Sequence, residues 1–150
     1  MKYFAYGSNM DAKRMEERNI NFTQRMRAFL KGFELRFNKM SSNDPENEGY
    51  ANVVPDEKGI VEGVLYDILD SDLPKLDIRE GYPEHYDRVN LKIESHNYKE
   101  QEAVIYIAQP DKVKEGLRPT KDYLNHLLAA KDILSESYYR RLECWETLNY

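Results

Sequence analysis

The chain is poor in the residues that build metal centres, disulfides and redox sites. It has one cysteine, Cys144, so no disulfide forms within it, and a reducing compartment is expected. Its three histidines, His85, His96 and His126, show no metal-ligand spacing, so no metal is expected. No apolar run is long enough to span a membrane, and the opening MKYFAYGSNM is too short and too polar for a secretion signal. No basic cluster exceeds Arg140-Arg141, and the net charge is −5, which argues against binding nucleic acid through phosphates. The expectation is a soluble cytoplasmic protein.

What is present suits one domain over residues 1–150. The 150 residues are 41% hydrophobic and 33% charged, enough for one core under a solvated surface. Tyrosine is abundant, at 12 residues, and favours sites that are half apolar and half wet.

Lys2 to Tyr6 reads as a short aromatic strand that stops at the turn residues Gly7-Ser8-Asn9, followed by a helix from Met10 to Glu17. Phe33, Leu35 and Phe37 alternate with polar residues, as on a half-buried strand. A polar loop over Ser41 to Gly49 leads to two strands, Tyr50 to Val54 and Ile60 to Leu69, joined by a turn at Pro55 to Gly59. Ser71 is the expected cap of a helix carrying Pro74 in its first turn and ending at Glu80-Gly81. Asp87 to Glu94 and Gln101 to Ala108 form an expected hairpin. Helical spacing then runs over Thr120 to Leu134, and a second helix over Ser135 to Leu148. Many strands with few, separated helices predict an α+β fold around a curved or barrel-like sheet.

Two segments carry possible chemistry. A strand ending in Gly7-Ser8-Asn9 offers consecutive backbone amides to a carboxylate or a developing oxyanion, although the same residues also serve as ordinary turn and cap chemistry. Glu80 ends a helix beside Tyr82 and Tyr86. A carboxylate there opposes the helix dipole, and burial raises its pKa toward that of a proton shuttle; the plainer reading is a surface glutamate before a glycine cap.

Taken together, the segments resemble the γ-glutamylcyclotransferase family. Tyr3 to Asn9 (YFAYGSN) is similar to its N-terminal signature, and Leu76 to Gly81 (LDIREG) to its L-D-x-x-E-G segment. Phe33 to Phe37 and Gly63 to Tyr66 are similar to its strand patterns. Thr120 to Tyr123 stands where the family often has S-P-x-Y, and Leu134 to Leu142 resembles its closing helix. Lys121 and Ser135 stand where prolines are usual, and the loop from Glu80 to Tyr86 is short. These departures bear on substrate preference more than on reaction type.

The resemblance implies a small mixed β-barrel with flanking helices. It also implies cofactor-free closure of a γ-glutamyl group onto its own α-amine, releasing 5-oxoproline and an amine or amino acid. Glu80 is then the general acid and base. Tyr3, Phe4, Ala5, Tyr6, Gly7, Ser8, Asn9, Tyr86 and Tyr123 form the substrate-binding set, and the resemblance implies pairing as a homodimer, which is known among relatives. His85 reads as a surface loop residue, and Trp145 and Cys144 as packing residues of the last helix. The competing reading is a non-catalytic module that binds a γ-glutamyl or carboxylate metabolite in the same pocket.

Overall fold

The computed structural model describes residues 1–149. Five strands close into a barrel in the order β1-β3-β2-β4-β5, where β1 is Lys2–Ala5, β2 Phe22–Met40, β3 Gly49–Ile68, β4 Tyr86–Ser95 and β5 Glu100–Ala108. Neighbours are antiparallel except at the closure, where β1 runs parallel to β5 with Tyr3 opposite Val104. This is the mixed barrel expected from the family resemblance.

Two long strands, β2 of 19 residues and β3 of 20, form most of the wall. Strands of that length bend around a barrel only where the ladder is interrupted. The pairing shifts between Lys31 and Phe33 and again between Arg36 and Lys39. At the second shift Arg36 faces Asn52 and Lys39 faces Tyr50, so β2 carries one extra residue, a β-bulge. Phe37, Asn38 and Lys39 are consecutively buried there, which breaks the in-out alternation. Gly63 is required by close approach: a Cβ on it would meet the Ala5 carbonyl oxygen at 2.4 Å and the Phe4 ring at 2.6 Å. Phe4, Leu30, Val64, Leu65, Ile93 and Ile105 are among the side chains that fill the core.

The helices cover the barrel ends and one flank. α1 spans Ala12–Glu17, α2 Leu73–Glu80, α3 Lys121–Leu128 and α4 Glu136–Glu143. A 3-10 turn at Ser8–Met10 precedes α1, and the Asp11 side chain caps α1 through the Lys13 amide. Thr120 and Ser135 cap α3 and α4 by accepting from the amides of Tyr123 and Tyr138.

Several expectations need correction. The turn at Pro55 to Gly59 does not divide two strands: β3 continues through it, and the register passes from Lys31 opposite Ile60 to Phe33 opposite Pro55. The first half of β2, from Phe22, is a strand whose arginines and other long polar side chains hide its pattern in the sequence. Ser71 does not cap α2. Asp72 stands at that position, and its carboxylate accepts instead from the Asn21 amide at 2.7 Å. The last two helices are shorter than their apolar spacing suggests. After Leu128 the chain tightens into turns, and α4 stops at Glu143 before Cys144. Trp145 lies beyond α4, its ring centroid 4.8 Å from that of Phe37, while Cys144 is exposed rather than packed.

Candidate active site

Glu80 is the last residue of α2. Gly81 follows it in the left-handed region, at φ 67°, and its amide and that of Tyr82 close the helix onto the carbonyls of Ile78 and Asp77. One turn earlier, the Asp77 carboxylate accepts from the Tyr106 hydroxyl at 2.7 Å and pairs with Arg88. Those partners lie on β5 and β4, so α2 is held against the barrel wall. The helix thereby presents the Glu80 carboxyl to the turn after β1.

Asn9 receives it. Its Nδ2 donates to Glu80 Oε1 at 3.2 Å and lies 3.0 Å from the Tyr3 hydroxyl oxygen. Its Oδ1 accepts from Arg18 at 2.8 Å, which fixes the orientation of the amide. Burial pushes the Glu80 carboxyl up to about 7, against the opposing pull of Arg18, Arg14 and Lys39. A carboxyl with that pKa exchanges protons near neutrality.

Two connected cavities meet at Glu80. The outer cleft, about 520 Å³, is of the size that holds small molecules. Its walls include Arg14, Arg18, Lys39, Tyr50 and His85. The inner recess, about 40 Å³, is lined by Tyr3, Phe4, Tyr6, Gly7, Ser8 and Asn9 among others. Ser8, Glu80, Tyr86 and Tyr123 line both. Gly7 leaves room at the recess, where a Cβ would stand 3.0 Å from that of Ala51 and 3.4 Å from the Tyr123 hydroxyl oxygen.

The tyrosines differ in what they still have to offer. Tyr6 donates its hydroxyl proton to the Tyr106 carbonyl, and Tyr86 donates to the Ala51 carbonyl at 2.7 Å. Both protons are therefore committed within the wall. The Tyr123 oxygen accepts from the Ala51 amide at 3.0 Å, which leaves its proton to donate. Burial drives the pKa of Tyr3, Tyr6, Tyr86 and Tyr123 upward, so they remain protonated.

Of the residues expected at the site, Ala5 alone lines neither cavity; it is buried in the wall beside Gly63. Phe4 contributes an apolar side to the recess. His85, expected on a surface loop, lines the outer cleft, and its Nδ1 is buried without a hydrogen-bond partner. Burial, then Lys39 and Lys112, hold its imidazole below the usual pKa. Sequence reasoning missed the cations Arg14, Arg18 and Lys39. The i, i+4 spacing of Arg14 and Arg18 was the available signal, and nothing marked Lys39. Among the described residues no cluster of three or more histidine, cysteine or acidic side chains could hold a metal ion. None of the helices there is long and apolar enough to cross a membrane.

Comparison with known proteins agrees with this architecture. Residues 3–125 match the family model described as "Gamma-glutamyl cyclotransferase, AIG2-like". Comparison with curated protein sequences returns no match. Among solved structures, a gamma-glutamyl cyclotransferase superposes with a TM-score of 0.86 at 25% identity, covering 99% of this chain and 89% of that one. An uncharacterized protein from Homo sapiens gives 0.87 at 26% identity, with the same coverage of 99% and 89%. YkqA from Bacillus subtilis gives 0.83 at 26% identity, covering 99% of this chain and 56% of that one. On the extent of the family match, joined to the barrel it predicts, the chain belongs to the gamma-glutamyl cyclotransferase, AIG2-like family.

Proposed function

We propose that this chain catalyses intramolecular cyclisation of γ-glutamyl compounds. The observation that carries the reading is the Glu80 carboxyl, with its pKa raised to about 7, lying at the junction of two cavities opposite the turn after β1. The glutamyl part lies against that turn and the inner recess, and the leaving part extends into the outer cleft.

The substrate supplies its own nucleophile. Glu80, in its ionised form, takes a proton from the α-ammonium. The freed nitrogen lone pair attacks the γ-carbonyl carbon, and a five-membered lactam C–N bond forms. As the tetrahedral intermediate collapses, the original amide C–N bond breaks and Glu80 gives that proton to the departing nitrogen; the freed carboxylate then passes the ring nitrogen's second proton to the amine, which leaves as an ammonium. The products are 5-oxoproline and a free amine or amino acid, and the enzyme ends as it began. Positioned proton transfer of this kind contributes roughly 10²–10⁴-fold. Holding amine and carbonyl in line contributes more, with effective molarities of about 10⁵ M or above for well-aligned intramolecular reactions.

Donors for the developing oxyanion come from the turn. The first two amides of the Ser8–Met10 turn have no acceptor within it, and the Tyr123 hydroxyl stands beside them. The direct test is release of 5-oxoproline from a panel of γ-glutamyl dipeptides and γ-glutamylamines by wild type and Glu80→Gln. Wild type turns over members of the panel and the variant does not. Equal release by both would remove Glu80 from the chemistry. Binding without turnover by wild type would favour a metabolite-binding module instead.

A further inference from the structure

Lys39 is an unusual residue to find in a barrel wall. Its relative exposure is 4%, yet it lines the outer cleft. The bulge between Arg36 and Lys39 places it there, in the manner of bulges that re-aim a side chain beside a site. Its ammonium donates to the Met40 carbonyl at 2.7 Å and sits over the rings of Tyr50 and Tyr86, 5.7 and 5.6 Å from their centroids. None of the ion pairs among the described residues includes it. A lysine has three donors, and one backbone carbonyl engages one of them. A buried charge without a counter-ion is costly, and an arriving anion relieves that cost.

Among the described residues none of the cleft's acids, Glu48, Glu80 and Asp122, forms an ion pair with Lys39, although Glu80 acts on it through space. Glu48 accepts from the Ser41 hydroxyl at 2.6 Å, and Asp122 lies in the first turn of α3. Arg14, Arg18 and Arg79 line the same cleft, and among the described residues they too enter no ion pair, in a chain whose net charge is −5. All four cations line the outer cleft and none lines the inner recess. Burial and the nearby Lys112 pull the Lys39 pKa down while Glu80 pulls it up.

We propose that Lys39 binds a carboxylate on the leaving amine, so that the substrate class is a γ-glutamyl amino acid or peptide rather than a γ-glutamylamine. This rests on the cyclotransferase reading above. The placement supports it: the reacting carbonyl and α-amine belong at Glu80 and the turn, and the group beyond the scissile bond projects toward the cations. The two tyrosine rings under the ammonium restrict its movement, so a carboxylate that reaches it is held in one place.

The test uses γ-glutamyl-alanine, the corresponding alaninamide, and γ-glutamyl-ethylamide, which is the alanine compound without its carboxylate. Wild type is expected to prefer the alanine compound over the other two by about 10- to 100-fold in kcat/KM, the range of a hydrogen bond to a charged group. In Lys39→Met that ratio collapses toward one, mainly through KM of the alanine compound, and Lys39→Arg restores part of it. If Lys39→Met melts below the assay temperature, the same ratio is read from Lys39→Gln, which keeps a donor for the Met40 carbonyl without the charge. Equal kcat/KM for all three compounds in wild type overturns the proposal, and so does a preference that survives loss of the charge. Equal loss on all three compounds in the variants places Lys39 with the glutamyl portion or the fold and also overturns it. Those outcomes leave cyclotransfer standing. Absence of 5-oxoproline from every compound with wild type removes the reading on which the proposal rests.

Discussion

Asn9 Nδ2 donates to Glu80 Oε1 at 3.2 Å, joining the turn after the first strand to the end of the second helix across 71 positions of sequence. The contact matters because Asn9 is itself held, through its Oδ1, by Arg18. A side chain locked from both ends points the carboxyl rather than following it. The Glu80 carboxyl is thereby placed by a strand turn, a helix end and the arginine that follows α1, acting together.

Removing that donor is expected to shift the pH profile. A hydrogen bond to the ionised form favours it, so Asn9→Ala should move the acid limb of kcat/KM to higher pH by about one unit. The midpoint for wild type lies near 7, where burial has raised Glu80. A limb that stays in place would show that Asn9 does not influence this carboxyl.

Glu80→Gln should lower kcat by about 10²–10⁴-fold while changing the pH dependence of stability. The sign follows from the direction of the shift. The folded pKa is raised from 4.5 to about 7, so the folded state holds the proton more tightly. That contribution is fully present below the unfolded value and is lost as pH rises through about 7. The variant should match wild type near pH 4 and exceed it above pH 7 by about 1–3 kcal/mol in denaturant titrations. A variant less stable than wild type at pH 8 would contradict the burial cost.

The two tyrosines that grip Ala51 should differ in effect. Tyr123→Phe leaves the Ala51 amide without an acceptor, whereas Tyr86→Phe removes a donor from its carbonyl. An unsatisfied buried donor costs about 1–3 kcal/mol, and an ordinary lost hydrogen bond about 0.5–1.5 kcal/mol. Urea unfolding should rank Tyr123→Phe as the more damaging. Activity should follow the same order, because of these two only Tyr123 keeps a hydroxyl proton not spent on the Ala51 backbone.

Gly63→Ala should be severe despite lying away from the catalytic group. Its Cβ would meet the Ala5 carbonyl oxygen at 2.4 Å, and backbone cannot move as a side chain does. The expected loss is about 3 kcal/mol, at the upper end of overpacking costs, read as a lower melting temperature. Gly116→Ala is a contrast, with open space around it but φ at 84°, so its cost is backbone strain rather than collision.

The readable parts of the sequence were those whose meaning is local or tied to a motif. The turn at Gly7 to Asn9, the helix stop at Gly81 and the caps at Thr120 and Ser135 all depend on residues a few positions apart. The hairpin from β4 to β5 pairs neighbours in sequence, with Glu94 opposite Glu100. The first half of β2 was not readable, because Gln24, Arg25 and Arg27 resemble a solvent-facing segment. In the structure Arg25 and Arg27 are engaged instead: they donate to the carbonyls of Met10 and Ile133. Pro55 to Gly59 misled for the opposite reason: turn residues were absorbed into a continuous strand.

The sequence alone determined where many of the chain's turns fall and which family motif surrounds the carboxyl at position 80. Only the tertiary structure decided that this carboxyl is raised to about 7, that the Tyr6 and Tyr86 protons are already spent within the wall, and that Lys39 lines the cleft without a counter-ion. Turns and caps follow from backbone preferences within a few residues. Burial, pKa and a missing partner are properties of atoms brought together from distant strands, turns and helix ends, and the folded barrel with its docked helices brings them together.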